Sequence, residues 1–262
     1  LGFFALTEPD AGSDPAAVRT SARRDGDDYV LDGNKVFITN GTDADVALVF
    51  ATVDPKLKHK GMVCFIVPAD TPGYSHGIHE YKLGVNGSGT TELAFQGMRV
   101  PASQRLGAEG EGWAAARTTL MNERMAIGGM ERMFSFDELR DLLKARPDGI
   151  DDVMRDEAAR IYTWVRTLDL LNTRIITKLG KGVIPDAEAS VMKLAMARIL
   201  SRGSDLALRA LGAGALLRPG YWQNQFLYAP AFHIGGGTDE IQKNIAAERV
   251  LALPAVAASP RS

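Results

Sequence analysis

The sequence contains one cysteine, carries no block of basic residues and has no apolar run long enough to cross a membrane. Its net charge of −2 and its pI near 6.1 argue against a nucleic-acid-binding protein, because such proteins concentrate positive charge on one face. The longest apolar candidate, residues 46–53, has the length of a β-strand. What remains is a globular protein, and 262 residues with 45% hydrophobic content suffice for one or two domains.

The single cysteine, Cys64, lies in the apolar run 62–67 and cannot form an internal disulfide. No His or Asp pattern around it suggests a nucleophile, so we expect a buried core residue. A lone thiol is compatible with a reducing compartment, and a cytoplasmic location is expected. No metal site is predicted, because His233 has no ligand partner at a useful spacing and is expected to be structural.

Residues 1–109 are predicted to form a β-domain. Short β-branched or aromatic runs alternate there with turns of Gly, Asp, Asn and Pro. The predicted strands are 29–31, 35–39, 46–53, 61–67 and 91–95. Spacing of this kind is typical of a small antiparallel barrel or sandwich.

Residues 110–254 are predicted to form a helical bundle, because the apolar period changes to three or four residues. The predicted helices are 113–130, 133–145, 151–179, 187–217 and 238–253. Pro185 and Thr238 mark two helix starts, and long helices with short connections favour a bundle of roughly four. The fold class is therefore α+β, followed by a loose tail at 255–262.

Two segments of the β-domain have the residues of a ligand site. Residues 6–14 enter a turn whose backbone N–H groups and Ser13 hydroxyl could hold a phosphate or a polar ring. Residues 33–41 contain a strand on which Phe37 and Thr39 share one face. An aromatic ring beside a small hydroxyl suits a flat heterocycle. Each segment alone is also explained as an ordinary turn and a half-buried strand.

The first long helix contains the strongest candidate for acid–base chemistry. Glu123 has apolar helical neighbours, among them Ala116, Leu120 and Ile127. A desolvated carboxylate has a raised pKa and can accept a proton near neutral pH. The alternative is a pair with Arg124 at the edge of the apolar stripe, with both charged groups in water.

A third segment, 233–245, runs through three glycines into a helix N-terminus. Such a turn lets a ligand approach backbone N–H groups, and the helix dipole favours negative charge there. Glycine turns before helices are common, so this signal is weak by itself.

In this order, the segments 6–14 and 33–41 resemble the flavin-binding segments of the acyl-CoA dehydrogenase family. Residues 82–93 and Val100-Pro101 also resemble the β-domain of that family. Asn86 replaces the Arg of the usual pattern. Residues 237–242 match the family's Gly-Thr-x-x-Ile-Gln segment, before which many members carry the catalytic Glu. That position is Gly236 here. A subset, including isovaleryl- and long-chain-specific members, instead carries its base in a Glu-Arg on the first long helix, which matches Glu123-Arg124.

The resemblance implies FAD as cofactor and α,β-dehydrogenation of an acyl-CoA thioester, with Glu123 as the base and an electron-transferring flavoprotein as acceptor. The residues implied in cofactor binding are Phe4, Leu6, Thr7, Gly12, Ser13, Phe37, Thr39, Thr238 and Glu240. Thr39 is the implied hydrogen-bond partner of flavin N5. Arg124, Ser13 and Gly236 are implied in substrate binding, and the missing side chain at Gly236 favours bulky or branched acyl groups such as sterol side chains.

Two departures from the family pattern leave alternatives open. The family's N-terminal helical domain is absent from this sequence, which looks like the middle and C-terminal portions of a longer protein. An Arg near a Phe-Gly that crosses the subunit interface in many members has no counterpart between Met133 and Tyr162. The expected homo- or hetero-oligomer could therefore use this chain as a non-catalytic or half-site subunit. A same-fold flavin oxidase or monooxygenase is the other alternative.

Overall fold

The computed structural model describes residues 1–128, 134–146, 148–183, 185–217 and 220–254, except for the side chains of residues 124–128, 186 and 187. The chain divides into two compact units, Leu1–Leu120 and Met121–Ser262. The predicted tail, 255–262, and the predicted helix start at Met133 lie outside the described residues.

Seven strands form a single curled sheet in the first unit. They are β1 (Gly2–Ala5), β2 (Ser21–Asp25), β3 (Asp28–Thr39), β4 (Val46–Thr52), β5 (Met62–Pro68), β6 (Tyr74–His76) and β7 (Thr90–Pro101). The order is β1-β4-β2-β3-β7-β6, and β5 also pairs with β4. The sheet is mixed rather than purely antiparallel, because β1 runs parallel to β4. Strand β3 joins the predicted strands 29–31 and 35–39 into one element of 12 residues.

The two faces of this sheet bury different sets of side chains. One face encloses a core that includes Tyr29, Leu31 and Phe65. The other face packs Leu6, Phe50, Met62 and Cys64 with Ala116 of a helix. Cys64 is fully buried, as predicted, and burial raises the pKa of its thiol to about 12. It is therefore a core residue.

The helices are α1 (Gly112–Gly128), α2 (Phe136–Lys144), α3 (Asp152–Gly180), α4 (Asp186–Leu211), α5 (Gly214–Leu217), α6 (Tyr221–Ile234) and α7 (Asp239–Arg249). In the second unit α4 packs against α3, α6 and α7, which confirms the expected helical architecture. Buried residues of α3 recur every seven positions, at Met154, Ile161, Leu168 and Ile175. This spacing places one narrow stripe of α3 in the core.

Candidate functional site

The turn after β1 is fixed to the sheet by backbone hydrogen bonds. Glu8 and Ala11 exchange two such bonds, each 3.1 Å long, and the carbonyl oxygen of Thr7 accepts a 3.0 Å bond from the amide of Val36 on β3. The two segments that the sequence singles out, 6–14 and 33–41, therefore lie side by side. Gly12 and Ser13 are exposed at the end of the turn.

A buried ion pair lies beneath this turn. The Lys35 ammonium, which is 0% exposed, donates to the Glu8 carboxylate at 2.8 Å and to the carbonyl oxygen of Leu6 at 3.1 Å. The same carboxylate accepts from the amides of Arg19 (2.6 Å) and Thr20 (3.0 Å). The Glu8 carboxylate thus connects three segments of the chain through three hydrogen bonds. No role is predicted for either charge from the sequence.

Burial determines the electrostatics of this pair. Removal from water lowers the pKa of Lys35 to about 8, and the attraction of Glu8 opposes that shift. Burial also acts to raise the pKa of Glu8, but the Lys35 charge and the hydrogen bonds to the carboxylate bring it below its usual range. Glu8 is therefore a carboxylate anion at neutral pH, and this charged form anchors the turn.

A β-bulge on β3 orients the predicted ring-binding residues. Lys35 pairs with Leu93 and Ile38 pairs with Thr91, so β3 contains one more residue than β7 over this stretch. Phe37, inside the bulge, has φ of 59°, a left-handed conformation that is uncommon and strained for a bulky residue. The result is a buried Ile38 and an aromatic ring that is 71% exposed.

Thr39 is also exposed and lies two residues beyond Phe37 at the end of β3, while Phe4 is half-buried on β1 and Leu6 is buried. The bulge therefore exposes an aromatic ring and a hydroxyl, and the neighbouring turn has open space around Gly12. Apart from Gly12 itself and its two chain neighbours, no atom of the described residues lies within 4 Å of the position that a Cβ on Gly12 would occupy. These features leave room for a flat ring with a polar extension.

The second unit contains the predicted glycine turn between α6 and α7. Gly236 and Gly237 have φ of 67° and 90°, which explains the need for glycine at both positions. Thr238 caps α7 as predicted, because its Oγ1 accepts from the amide of Ile241 at 3.3 Å. The buried Gln242 donates to the carbonyl oxygen of Gly236 at 2.7 Å, and its Oε1 has no hydrogen-bond partner among the described residues.

A chain of four polar side chains supports this turn. Asp239, the first residue of α7, accepts from the Nζ of Lys193 at 3.1 Å and lies 2.6 Å from His233 Nδ1. His233 Nε2 lies 2.7 Å from the Oγ of Ser201 on α4. Burial acts to raise the pKa of Asp239, but the hydrogen bonds and charges of its two partners lower it overall. Both ring nitrogens of His233 thus contact protein side chains, in agreement with the structural role predicted from the sequence.

The remaining predicted residues are on helices. Glu123 lies on α1 and is partly buried, and the side chain of Arg124 lies outside the described residues. Glu240 is exposed in the first turn of α7 and pairs with Lys243 at 3.7 Å. In the part of the chain that the structure describes, no group of three metal-ligating side chains comes together. The described helices include none with the length and apolar character of a membrane span.

Known proteins share both units of this fold. Residues 3–98 match the model of the acyl-CoA dehydrogenase middle domain, and residues 110–251 match that of the acyl-CoA dehydrogenase C-terminal domain. The human mitochondrial short-chain specific acyl-CoA dehydrogenase is 33% identical over 268 residues, which cover 96% of this chain and 63% of the relative. The cyclohex-1-ene-1-carbonyl-CoA dehydrogenase of Geobacter metallireducens is 49% identical over 125 residues, 48% of this chain and 33% of that protein.

Among solved structures, PigA with FAD and proline is similar at a TM-score of 0.87 and 26% identity. The match covers 96% of this chain and 68% of PigA. The curled sheet corresponds to the middle domain of this class of flavoenzymes, and the helical unit corresponds to their C-terminal domain. The chain belongs to the acyl-CoA dehydrogenase family. It spans about 63% of the length of the human relative.

Proposed function

We propose that this chain supplies the flavin-binding and catalytic portions of an FAD-dependent acyl-CoA dehydrogenase. The observation that carries the proposal is the strained, exposed Phe37 beside Thr39 on the bulge of β3. Large aromatic residues are usually buried, and a left-handed conformation costs on the order of 1–3 kcal/mol. A conformation that is both strained and unpacked is explained by a ligand that covers the ring.

The residues present fit FAD. Phe37 offers a face for the isoalloxazine, and the Thr39 hydroxyl can form a hydrogen bond with a ring heteroatom such as N5. The open space at Gly12 and the exposed Ser13 suit the polar tail. The other residues proposed to bind FAD are Phe4, Leu6, Thr7, Thr238 and Glu240.

The chain's own residues would supply the proton chemistry. Glu123, partly buried on α1, would remove the α-proton of the thioester, because Gly236 has no side chain to do so. Hydrogen bonds to the thioester carbonyl would acidify that proton by stabilising developing negative charge. Arg124 and Ser13 would bind the CoA thioester. When bound, FAD supplies the redox step by accepting the β-hydrogen as hydride.

The test is a flavin spectrum of the purified protein, recorded while CoA thioesters are added anaerobically. We expect bound FAD and loss of its visible absorbance with at least one saturated acyl-CoA. Free CoA is the control, since it lacks the carbons to be oxidised. A protein that binds no flavin, or whose flavin stays oxidised with straight, branched and ring-bearing thioesters, would contradict the proposal.

The acyl group is proposed to be bulky or branched near the thioester. A glycine at 236 leaves volume where a Glu side chain would lie, and filling one or two methylenes is worth roughly 1–3 kcal/mol, or about 10–200-fold in discrimination. The ring-bearing substrate in the name of the Geobacter relative is compatible with this proposal, whereas the human relative is specific for short chains.

This substrate prediction is tested with kcat/KM for butyryl-, octanoyl-, 2-methylacyl- and sterol-side-chain CoA thioesters. We expect the bulky substrates to be preferred by tenfold or more, and Gly236→Ala to reduce their kcat/KM selectively. Because φ of Gly236 is 67°, the Ala variant is also strained, so folding must be checked by its melting temperature. A clear preference for straight chains, with bulky substrates unaffected by the Ala, would reject the volume argument.

A second candidate is an oxidase or monooxygenase of the same fold. The similarity to PigA with FAD and proline supports this second candidate, because that structure shows the fold with a ligand that is not a CoA thioester. The two are separated by reoxidising the reduced flavin with air or with an electron-transferring flavoprotein, which is the proposed partner. Fast reaction with the flavoprotein and slow reaction with air are expected. The cytoplasmic location stays a prediction.

The protein is further predicted to act as an oligomer. Large apolar side chains are exposed in the helical unit, including Val153, Leu170, Ile176, Leu216 and Leu217. Burying such side chains against another subunit is favourable at about 25 cal/mol per Å². We expect native mass measurement to show a dimer or larger species. Fewer than one FAD per chain would indicate a hetero-oligomer in which this chain has a half-site or non-catalytic role. A stable monomer with one bound FAD would contradict the prediction of an oligomer.

A further inference from the structure

We propose that His233 is a positioning residue that holds the glycine turn, residues 235–237, for the acyl-CoA thioester. The proposal rests on the proposed function of Gly236 as part of the substrate site. In this proposal, the contact of His233 with Asp239 restrains the glycine turn, and the contact with Ser201 does not contribute to that restraint.

The contact between His233 and Asp239 closes the turn at its two ends. His233 lies in the last turn of α6 and Asp239 is the first residue of α7, six positions later. Their 2.6 Å contact therefore fixes the distance that the three glycines must span. Glycine has the greatest backbone freedom of any residue, so a free turn of three glycines would sample many conformations.

The helix α4 holds both partners in place. The fully buried Lys193 donates to Asp239 Oδ1 at 3.1 Å, which leaves Oδ2 for the imidazole. Ser201 lies eight residues further along α4, about 12 Å along the axis, and contacts the other side of the same imidazole at 2.7 Å. One rigid helix thus sets the positions of both ends of the turn.

The chemistry of the groups assigns different roles to the two contacts. A carboxylate only accepts hydrogen bonds, so Nδ1 of His233 carries the proton toward Asp239. A serine hydroxyl both donates and accepts, so Ser201 can rotate to satisfy Nε2 in either protonation state. The Asp239 bond is charge-assisted and of fixed direction, whereas the Ser201 bond adapts.

The series Ser201, His233 and Asp239 has the contacts of a nucleophile activated by a base, but the surroundings of Ser201 do not fit that role. Ser201 lies inside α4, where the backbone N–H groups donate to carbonyl groups of the preceding turn. Acyl transfer needs N–H groups directed at the developing oxyanion. Lys193 also shares the charge of Asp239 that would otherwise stabilise an imidazolium. The geometry points to positioning.

Two amide variants separate the two contacts. The side-chain nitrogen of Asn lies near the place of Nδ1 and that of Gln near Nε2, so His233→Asn keeps the Asp239 bond and His233→Gln keeps the Ser201 bond. Hydrogen exchange of the amides at 235–238 is measured without ligand, and the FAD-loaded protein is titrated with S-butyl-CoA, a thioether that cannot be dehydrogenated. Ser201→Ala is the matched control for loss of the second contact.

We expect His233→Gln to speed exchange in the turn about tenfold and to raise the Kd for S-butyl-CoA about tenfold, with unchanged FAD content. His233→Asn and Ser201→Ala should stay within about threefold of wild type. Wild-type behaviour of His233→Gln, or equal losses in all three variants, would overturn the proposal. If the wild-type protein binds neither FAD nor S-butyl-CoA, the proposed function fails, and the exchange data alone then decide whether His233 holds the turn.

Discussion

Glu123→Gln is expected to retain FAD and to lose most of the reduction of the flavin by substrate. Gln has nearly the same shape as Glu but cannot accept a proton at neutral pH, and removing a general base costs on the order of 10²–10⁴ in rate. The reason to select Glu123 is its partial burial on α1 combined with Gly236, which has no side chain at the position where many family members carry the base. The measurement is the rate of anaerobic flavin bleaching in a stopped-flow instrument.

The matched control is Glu248→Gln, which removes an exposed carboxylate of the same unit on α7. It is expected to bleach at the wild-type rate. Bleaching of Glu123→Gln at that same rate would contradict the assignment of the base. An equal loss of rate in both variants would also contradict it, because the effect would then not depend on the proposed position.

Local sequence patterns predicted much of the backbone conformation of the candidate site. The turn residues of 6–14 and the strand residues of 33–41 define their own conformations through Gly, Pro and alternation, and the structure places the two segments side by side. The glycines at 235–237 and the cap at Thr238 are equally local signals. Such features depend on a few neighbouring residues, which is why the sequence predicts them well.

Long-range features were not predictable in the same way. Glu8 and Lys35 are 27 positions apart, and nothing about either charge alone indicates a buried pair. The bulge at Phe37 arises from the register between β3 and β7, which only the paired strands define. Its left-handed conformation is therefore absent from the one-dimensional pattern, although it determines how the ring is exposed.

Three strands and one α-helix were missed for identifiable reasons. Strand β2, Ser21–Asp25, carries mainly charged and small residues, so it lacks the alternation that marks a strand. Strands β1, Gly2–Ala5, and β6, Tyr74–His76, are too short to give a pattern. Helix α6, Tyr221–Ile234, contains Pro230 and apolar residues on every side, so it has neither the amphipathic period nor the composition of a predicted helix. Tertiary packing stabilises these elements in place of local preference.

The second large effect is expected at the ion pair beneath the flavin-type turn. Lys35→Met would leave the Glu8 carboxylate buried with only the amides of Arg19 and Thr20 as donors. Removing one partner of a buried pair typically costs 3–5 kcal/mol in the free energy of unfolding, because the remaining charge is uncompensated. Urea unfolding at pH 7 would measure this loss. Arg99→Met, at the exposed ion pairs with Asp25 and Asp28, is the control and is expected to unfold at close to the wild-type urea concentration.

The double variant Glu8→Gln/Lys35→Met tests whether charge, rather than packing, is the cause. The amides of Arg19 and Thr20 donate to different oxygens of the Glu8 carboxylate, and the neutral Gln side chain has only one oxygen. We therefore expect the double variant to recover part, but not all, of the stability lost in Lys35→Met. A pH series adds a second criterion. Because the folded-state pKa of Glu8 is lowered, its contribution to stability is complete above the usual carboxyl pKa and is lost as the pH falls through the folded-state value. The double variant should lack that part of the acid dependence. If the single and double variants are equally unstable, the side-chain volume of Lys35 and not its charge holds the turn.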